Sequence, residues 1–71
     1  MSDTPLVPVS WGKILSRARE ENHTVSVIVH GSYKPYVGKI KDVMVGLVVL
    51  INEYSTEYIQ LSEIKALRVY D

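Results

Sequence analysis

The spacing of apolar residues changes at Thr24, and this change limits the possible fold more than any other feature of the sequence. Before it, apolar residues from Trp11 to Ala18 recur every three or four positions, the spacing of one helix face. Ser10 is a predicted N-cap, so we expect a helix over residues 11–22. After Thr24 apolar residues recur at every second position, and 17 of the 71 residues are Val or Ile, whose branched side chains suit strands. The sequence therefore predicts one helix followed by strands.

Turn-forming residues divide the β region into five short segments. Turns are expected at 31–35, at Val45 and Gly46, and at 53–55. The predicted strands are about 24–30, 36–44, 47–52, 56–61 and 64–70. Gly38 lies inside the second of them, which is typical of a strong bend or of a close approach by another backbone. We expect a mainly β fold, in which an N-terminal α-helix precedes a strongly bent five-stranded antiparallel small barrel.

The first nine residues differ in character from the rest of the chain. Pro5 and Pro8 prevent regular backbone hydrogen bonding there, so residues 1–9 are predicted to be an extended lead-in to a single domain, 10–71. Neither a secretory leader nor an apolar stretch of about 18 residues is present, so we expect a cytoplasmic protein without a membrane partner.

The predicted strands near the C-terminus should form open sheet edges. Segments 56–61 and 64–70 are rich in Val, Ile, Leu and Tyr and contain no proline, which leaves them free to pair with another chain. A chain of 71 residues without cysteine also buries little surface alone and has no disulfide to stabilise it. Head-to-tail edge pairing would close a ring, and a homo-oligomer is expected. The predicted interface residues are Tyr58, Ile59, Leu61, Ile64, Leu67 and Val69.

Several function classes find no support in the sequence. His23 and His30 lie on different predicted elements, and the chain has no nucleophile motif and no phosphate-binding glycine loop. A metal site would need three or four convergent ligands, which the sequence does not offer. We expect no catalytic residues, no metal, no cofactor and no small-molecule substrate. Eight basic and eight acidic side chains give a net charge of zero, so nucleic-acid binding would depend on a local patch.

The order of these motifs resembles one family. A helix followed by VSVIVHG (25–31), YVGKI (36–40), LVVLIN (47–52) and IQLSEIKAL (59–67) is similar to the Sm-like family, including its Hfq-like members, over residues 10–70. Gly31, Gly38 and Ile40 match the glycine and apolar positions of that family, and Trp11 is expected to anchor the helix to the barrel. The resemblance implies assembly of five to seven copies through the fourth and fifth strands. It also implies binding of single-stranded RNA without catalysis.

The same resemblance points to a nucleotide site that this chain has altered. The family's aspartate position falls on Met44, or on Asp42 if the alignment is gapped, and the second motif reads Ile59-Gln60-Leu61. Gln60 can hydrogen-bond a base edge, whereas Leu61 cannot. The RNA-binding candidates are Gln60, Lys39, Lys41, Val45, Gly46, Arg19, Lys34 and Tyr36, each of which could also be an ordinary surface or rim residue.

Two functions of different classes therefore stay open. The first is a ring that binds single-stranded RNA, as an RNA chaperone or an RNA-processing scaffold. The second is an Sm-like module for oligomerisation or protein interaction that has lost the uridine pocket.

Overall fold

The structure is a computed structural model in which residues 11–70 are described. One helix, α1 (Trp11–Glu20), precedes five strands, as the sequence predicts. The strands are β1 (Thr24–Val29), β2 (Tyr36–Met44), β3 (Leu47–Ile51), β4 (Thr56–Gln60) and β5 (Ile64–Tyr70). A 3-10 turn, Leu61–Glu63, joins β4 to β5. The predicted lead-in and the Ser10 cap lie outside the described residues.

The helix ends two residues earlier than the sequence predicts. Asn22 adopts a left-handed backbone conformation with φ of 58°, which asparagine tolerates better than most residues. The N–H of His23 donates to the carbonyl of Ala18 at 2.9 Å, and the N–H of Asn22 donates to that of Arg19 at 3.1 Å. These bonds satisfy carbonyl groups that would otherwise lack partners at the helix end. A local backbone reversal therefore stops the helix before its charged face ends.

The five strands form one antiparallel sheet in the order β4-β3-β2-β1-β5. The outermost strands, β4 and β5, do not pair with each other, so the sheet is not closed, and the two segments predicted to form open edges are its edges. Among residues 11–70, β4 pairs only with β3, and β5 pairs only with β1.

The connection between the two edges nevertheless shows that the sheet is strongly bent. In a flat five-stranded sheet the two outermost strands, here β4 and β5, would lie about 19 Å apart, at ~4.8 Å per strand. Gln60 and Ile64 are joined by a three-residue 3-10 turn, which at a rise of about 2 Å per residue spans only about 8 Å. The N–H of His30 donates to the carbonyl of Glu63 at 2.9 Å and holds this turn against the end of β1. The two edges must therefore curl toward each other.

The apolar core lies inside this bend and under α1. Its members come from the helix and from all five strands: Leu15, Ala18, Val25, Val27, Ile40, Val48, Leu50, Ile59 and Ile64. Trp11 packs against the same cluster. No helix within residues 11–70 has the length and apolar character needed to cross a membrane.

Gly38 lets two strands approach closely. A Cβ atom at this position would lie 2.6 Å from the carbonyl oxygen of Ile51 and 3.1 Å from its carbon. Beside this contact, Nδ2 of Asn52 donates to the carbonyl of Val37 at 3.2 Å, which joins the end of β3 to β2. Of the two predicted reasons for a glycine in this strand, the structure shows the close approach directly.

Candidate functional site

The turn between β2 and β3 lies against the end of β4. The N–H of Leu61 donates to the carbonyl of Gly46 at 3.0 Å, and Gln60 pairs across the sheet with Leu47. Gly46 makes the turn with φ of 76°. The two segments in which the family resemblance places base recognition are therefore brought together, although they are 14 positions apart in sequence between Gly46 and Gln60.

This junction is mainly apolar on its surface. Val45 is fully exposed at the tip of the turn, and Met44 beside it is 49% exposed. Gln60 is exposed on β4, and in the two segments 44–48 and 60–61 it is the one residue with an amide side chain. We define Met44, Val45, Gly46 and Gln60 as the turn surface. It offers apolar contacts and a single group that can both donate and accept hydrogen bonds.

Asp42, which precedes Met44 by two residues, already has partners for its carboxylate. Its Oδ1 atom accepts a hydrogen bond from the N–H of Val43 at 2.9 Å and lies 3.8 Å from the Nη1 atom of Arg19. This arrangement holds α1 near the end of β2. Asp42, the alternative match to the family's aspartate, and Arg19 of the helix therefore form an ion pair with each other.

The other basic candidates do not converge on the turn surface. Lys39 donates through Nζ to the carbonyl of Asn22, which ties β2 to the end of α1. Lys41 is the extra residue of a bulge, because the register passes from Ile40 to Asp42 without it. Lys34 lies in the exposed β1–β2 loop, at the opposite end of β2 from the turn. A concentrated basic patch is therefore not formed by these lysines.

Tyr36 begins β2 at that same far end. It is half-buried and packs against the core. Tyr33 beside Lys34 is 97% exposed. Neither Tyr33 nor Lys34 lines a cavity with Gln60, but the bend of the sheet places Tyr36 in the same cavity of about 260 Å³ as Gln60. Two of the predicted RNA-binding candidates, Tyr36 and Gln60, are therefore brought together.

The residues predicted for the oligomer interface divide into two groups. Ile59 and Ile64 are each 5% exposed and belong to the chain's own core, so only their backbones are available to another copy. Leu61, Leu67 and Val69 are half-buried against that core, whereas Tyr58 is 66% exposed on the outer face of β4. The apolar side chains at these two edges are therefore only partly covered within one copy, and a strand of another copy could contact them.

The end of α1 carries the one carboxyl group in the described part of the chain whose pKa is clearly displaced. Glu21 accepts a hydrogen bond from Nε2 of His23 at 2.9 Å and lies 3.5 Å from Nε of Arg17. The hydrogen bond from His23 first, and then the nearby Arg17, lower the pKa of this carboxyl below 4.5. With Ile14, Ala18 and Val69 these three side chains line a groove of about 210 Å³ between α1 and the β5 edge, which we call the helix groove.

Within residues 11–70 no group of three or more His, Asp or Glu side chains is placed to hold a metal ion. Comparison of the chain with protein-family models, with curated proteins and with solved structures finds no match. The site must be interpreted from its own chemistry.

Sequence reasoning missed the charge difference between the two sheet edges. Glu57 lies on β4 and Glu63 follows it, whereas Lys65 and Arg68 lie on β5. The signal was present, because no lysine or arginine occurs from residue 42 to residue 64. Its importance emerges only once the strand order shows that these segments are the two edges.

Proposed function

We propose that this chain is an Sm-like subunit of a homo-oligomeric ring of five to seven copies that binds single-stranded RNA without catalysis. The observation that supports this proposal best is the hydrogen bond from Leu61 to the carbonyl of Gly46. It holds Gln60 beside the β2–β3 turn in a sheet whose two outer edges pair with nothing else among residues 11–70. Each copy in a ring would present one turn surface.

The mechanism is multivalent equilibrium binding. One copy offers the amide of Gln60 for a base edge, and the exposed side chains of Met44 and Val45 for contact with a base. A single such contact is weak. Repetition around a ring makes each further contact effectively intramolecular, so the affinity rises without any new chemistry. With no net charge and no basic patch among the candidate lysines, binding should depend only weakly on salt.

A second function is favoured by one specific observation. The turn surface exposes Met44 and Val45, and exposed apolar groups that lie together are typical of protein contacts. Asp42, which could have read a base, already accepts a hydrogen bond from the N–H of Val43 and lies beside Arg19. The alternative is therefore an Sm-like ring that serves as an oligomerisation or protein-interaction module.

Native mass spectrometry tests both proposals. The chain is measured alone and with short oligo(U) and oligo(A). We expect a closed species of five to seven copies of the 8.0 kDa chain that takes up one RNA. A ring that takes up neither RNA would favour the protein-interaction module, and a monomer at micromolar concentration would contradict both functions.

Replacing Gln60 by Ala then tests the site itself. Each copy that contacts the RNA loses one hydrogen bond, at about 0.5–1.5 kcal/mol, so the affinity should fall roughly two- to twelvefold per contacting copy while the number of copies in the ring stays unchanged. Thr56→Ala is the matched control, because Thr56 is exposed on the same face of β4 as Gln60 but lies four residues before it, at the other end of the strand. Equal affinities of the two variants would exclude Gln60 from the site.

A further inference from the structure

A cavity of about 270 Å³ lies over β1 and β5 and shares no residue with the turn surface. Its lining includes Ser26, Ile28, Pro35, Ala66, Arg68 and Tyr70. Val25 and Val27 of β1 belong to the core, so the alternate residues Ser26 and Ile28 point to the opposite, outer face of the sheet. We call this space the outer cavity.

The hydroxyl group of Ser26 lies in the floor of the outer cavity. Ser26 is 8% exposed, and within residues 11–70 it is the one buried residue with a polar side chain. None of the side-chain hydrogen bonds in this part of the chain involves its hydroxyl. A buried hydroxyl without a partner costs free energy that an alanine or a valine would avoid. The hydroxyl group is therefore available to a ligand.

Arg68 supplies a positive charge directly across from this hydroxyl group. It is the partner of Ser26 in the β1–β5 register, and residues opposite each other on antiparallel strands have Cβ atoms about 4.5–5.5 Å apart. Arg68 is exposed and forms no ion pair within residues 11–70, and no Asp or Glu of this range lines the cavity. One anionic group can thus contact the guanidinium and the hydroxyl together, and the planar guanidinium fits the two oxygens of a carboxylate.

A second cross-strand pair makes the rest of the cavity apolar. Ile28 lies opposite Ala66. Tyr36 pairs with Val27, so Pro35, which precedes Tyr36, lies beside Ile28. These apolar side chains favour the hydrocarbon part of a ligand. The cavity volume is slightly below the range of about 300–1,000 Å³ that is typical of sites for drug-sized molecules, so the ligand must be small.

We propose that the outer cavity binds a small organic carboxylate, whose charged group contacts Arg68 and Ser26 and whose hydrocarbon part lies on the apolar pair. A monoanion matches the single cation. Inorganic phosphate would satisfy the same two polar groups but would leave the apolar pair uncovered. The carboxylate is a ligand, and no reaction is assigned to it. All the lining residues belong to one chain, so this site goes beyond the proposed function and does not need the ring.

Titration of the isotope-labelled chain with sodium benzoate, followed by the amide chemical shifts in NMR spectra, tests the site. With pH and ionic strength held constant, we expect saturating shifts at Ser26, Ile28 and Ala66. Benzamide, a neutral molecule of similar shape, should bind at least about tenfold more weakly because it loses the charge-assisted hydrogen bonds. Inorganic phosphate should also bind at least about tenfold more weakly because it buries no apolar surface. Equal binding of either control would overturn the carboxylate assignment.

RNA is tested at the same amides. Short oligo(U) and oligo(A) should leave the benzoate-induced shifts unchanged, because the outer cavity and the turn surface share no residue. An oligonucleotide that displaces benzoate would show that the cavity belongs to the RNA site and would overturn the small-ligand proposal. A monomeric chain that still binds benzoate would overturn the ring of the proposed function and support this site, so the two failures are distinguishable.

Replacing Arg68 by Gln tests the charged contact. The variant should bind benzoate at least about tenfold more weakly than the parent chain. Arg17→Gln is the matched control, because the side chain of Arg17 is 80% exposed on α1 and does not line the outer cavity. Equal affinities of these two variants would exclude Arg68 from the site.

Replacing Ser26 by Ala separates a binding role from a structural one. Loss of the contact should weaken benzoate binding roughly two- to twelvefold. Without ligand, Tm should stay the same or rise, because the variant no longer buries a hydroxyl group that lacks a partner. Ser62→Ala, at an exposed serine of the 3-10 turn, should change neither quantity. A lower Tm of the Ser26→Ala variant, or an unchanged affinity, would overturn the assignment of this hydroxyl to the ligand.

Discussion

Replacing Gly38 by Ala should destabilise the protein because the added methyl group has no space. Its Cβ would lie 2.6 Å from the carbonyl oxygen of Ile51. Both neighbouring atoms belong to the backbone of β3, so no side chain can rotate away. The strands β2 and β3 would have to separate at this point. Their separation would also stretch the bond between Asn52 and the carbonyl of Val37.

The size of the effect follows from three contributions. Overpacking of a close contact costs about 1–3 kcal/mol, and a weakened hydrogen bond adds about 0.5–1.5 kcal/mol. Alanine also restricts the unfolded chain, which offsets about 0.4–1 kcal/mol. We expect the free energy of unfolding to fall by about 0.5–4 kcal/mol, or a decrease in Tm of roughly 2–30 °C for a domain of this size.

Thermal and urea denaturation, followed by far-ultraviolet circular dichroism, measure this loss. All variants are compared at one protein concentration, because the stability of an oligomer depends on concentration. Gly31 is the matched control: its φ is 82° and a Cβ there meets nothing within 4 Å. At Gly31 asparagine should be tolerated better than alanine because it adopts left-handed conformations more readily. At Gly38 asparagine should be worse than alanine because it is larger.

An alanine at Gly38 that unfolds at the same temperature as the parent would refute the close approach of β2 and β3. The same conclusion would follow if asparagine and alanine ranked alike at the two glycines. In that case a backbone preference common to both positions, and not the contact with Ile51, would explain why residue 38 is glycine.

Two further substitutions test contacts that the structure assigns. Asn52→Ala removes the Oδ1 acceptor of the N–H groups of Tyr54 (2.8 Å) and Ser55 (3.0 Å) as well as the Nδ2 donor to the carbonyl of Val37. Asn52→Asp loses the Nδ2 donor but keeps the oxygen acceptor. Asn52→Ala should therefore lower the free energy of unfolding in urea by about 1–2 kcal/mol more than Asn52→Asp does, and an equal loss from the two variants would contradict the acceptor role. Glu21→Gln removes a carboxyl whose pKa in the folded protein is lowered by the hydrogen bond from His23. Glu21 therefore stabilises the folded state at pH values above its pKa in the unfolded chain, and this stabilisation is lost as the pH falls through the lower pKa of the folded state. The variant should show a flatter fall of Tm on acidification than the parent, while Glu20→Gln should not, and parallel curves for parent and E21Q would exclude the effect.

The elements could be predicted from the sequence because their signals are local. The bounds of β2 and β5, 36–44 and 64–70, agree with the structure, and three other strands differ by one residue at their ends. Alternation and turn-forming residues act over a few positions, so they can be recognised without the fold. The end of α1 was missed by two residues, since the left-handed conformation of Asn22 competes with a helical pattern that continues past Glu20.

The candidate site was less predictable than the elements. The approach of Leu61 to Gly46 agrees with a shared location for the two motifs. Lys39, in contrast, is predicted as an RNA-binding candidate, and the structure gives its Nζ atom the carbonyl of Asn22 as a partner 17 residues away. Lys41, another RNA-binding candidate, lies in a bulge that breaks the two-residue alternation of β2. Side-chain partners that are distant in sequence leave no periodic signal.

The sequence by itself determined that this chain forms one helix and five strands, because hydrophobic period and turn chemistry are properties of neighbouring residues. Only the tertiary structure decided that β4 and β5 become the two edges of a sheet that does not close. It also decided that acidic and basic segments lie on opposite edges and that Gly38 admits the backbone of Ile51. Strand order and curvature depend on how all the apolar side chains share one core, and that competition involves the whole chain at once.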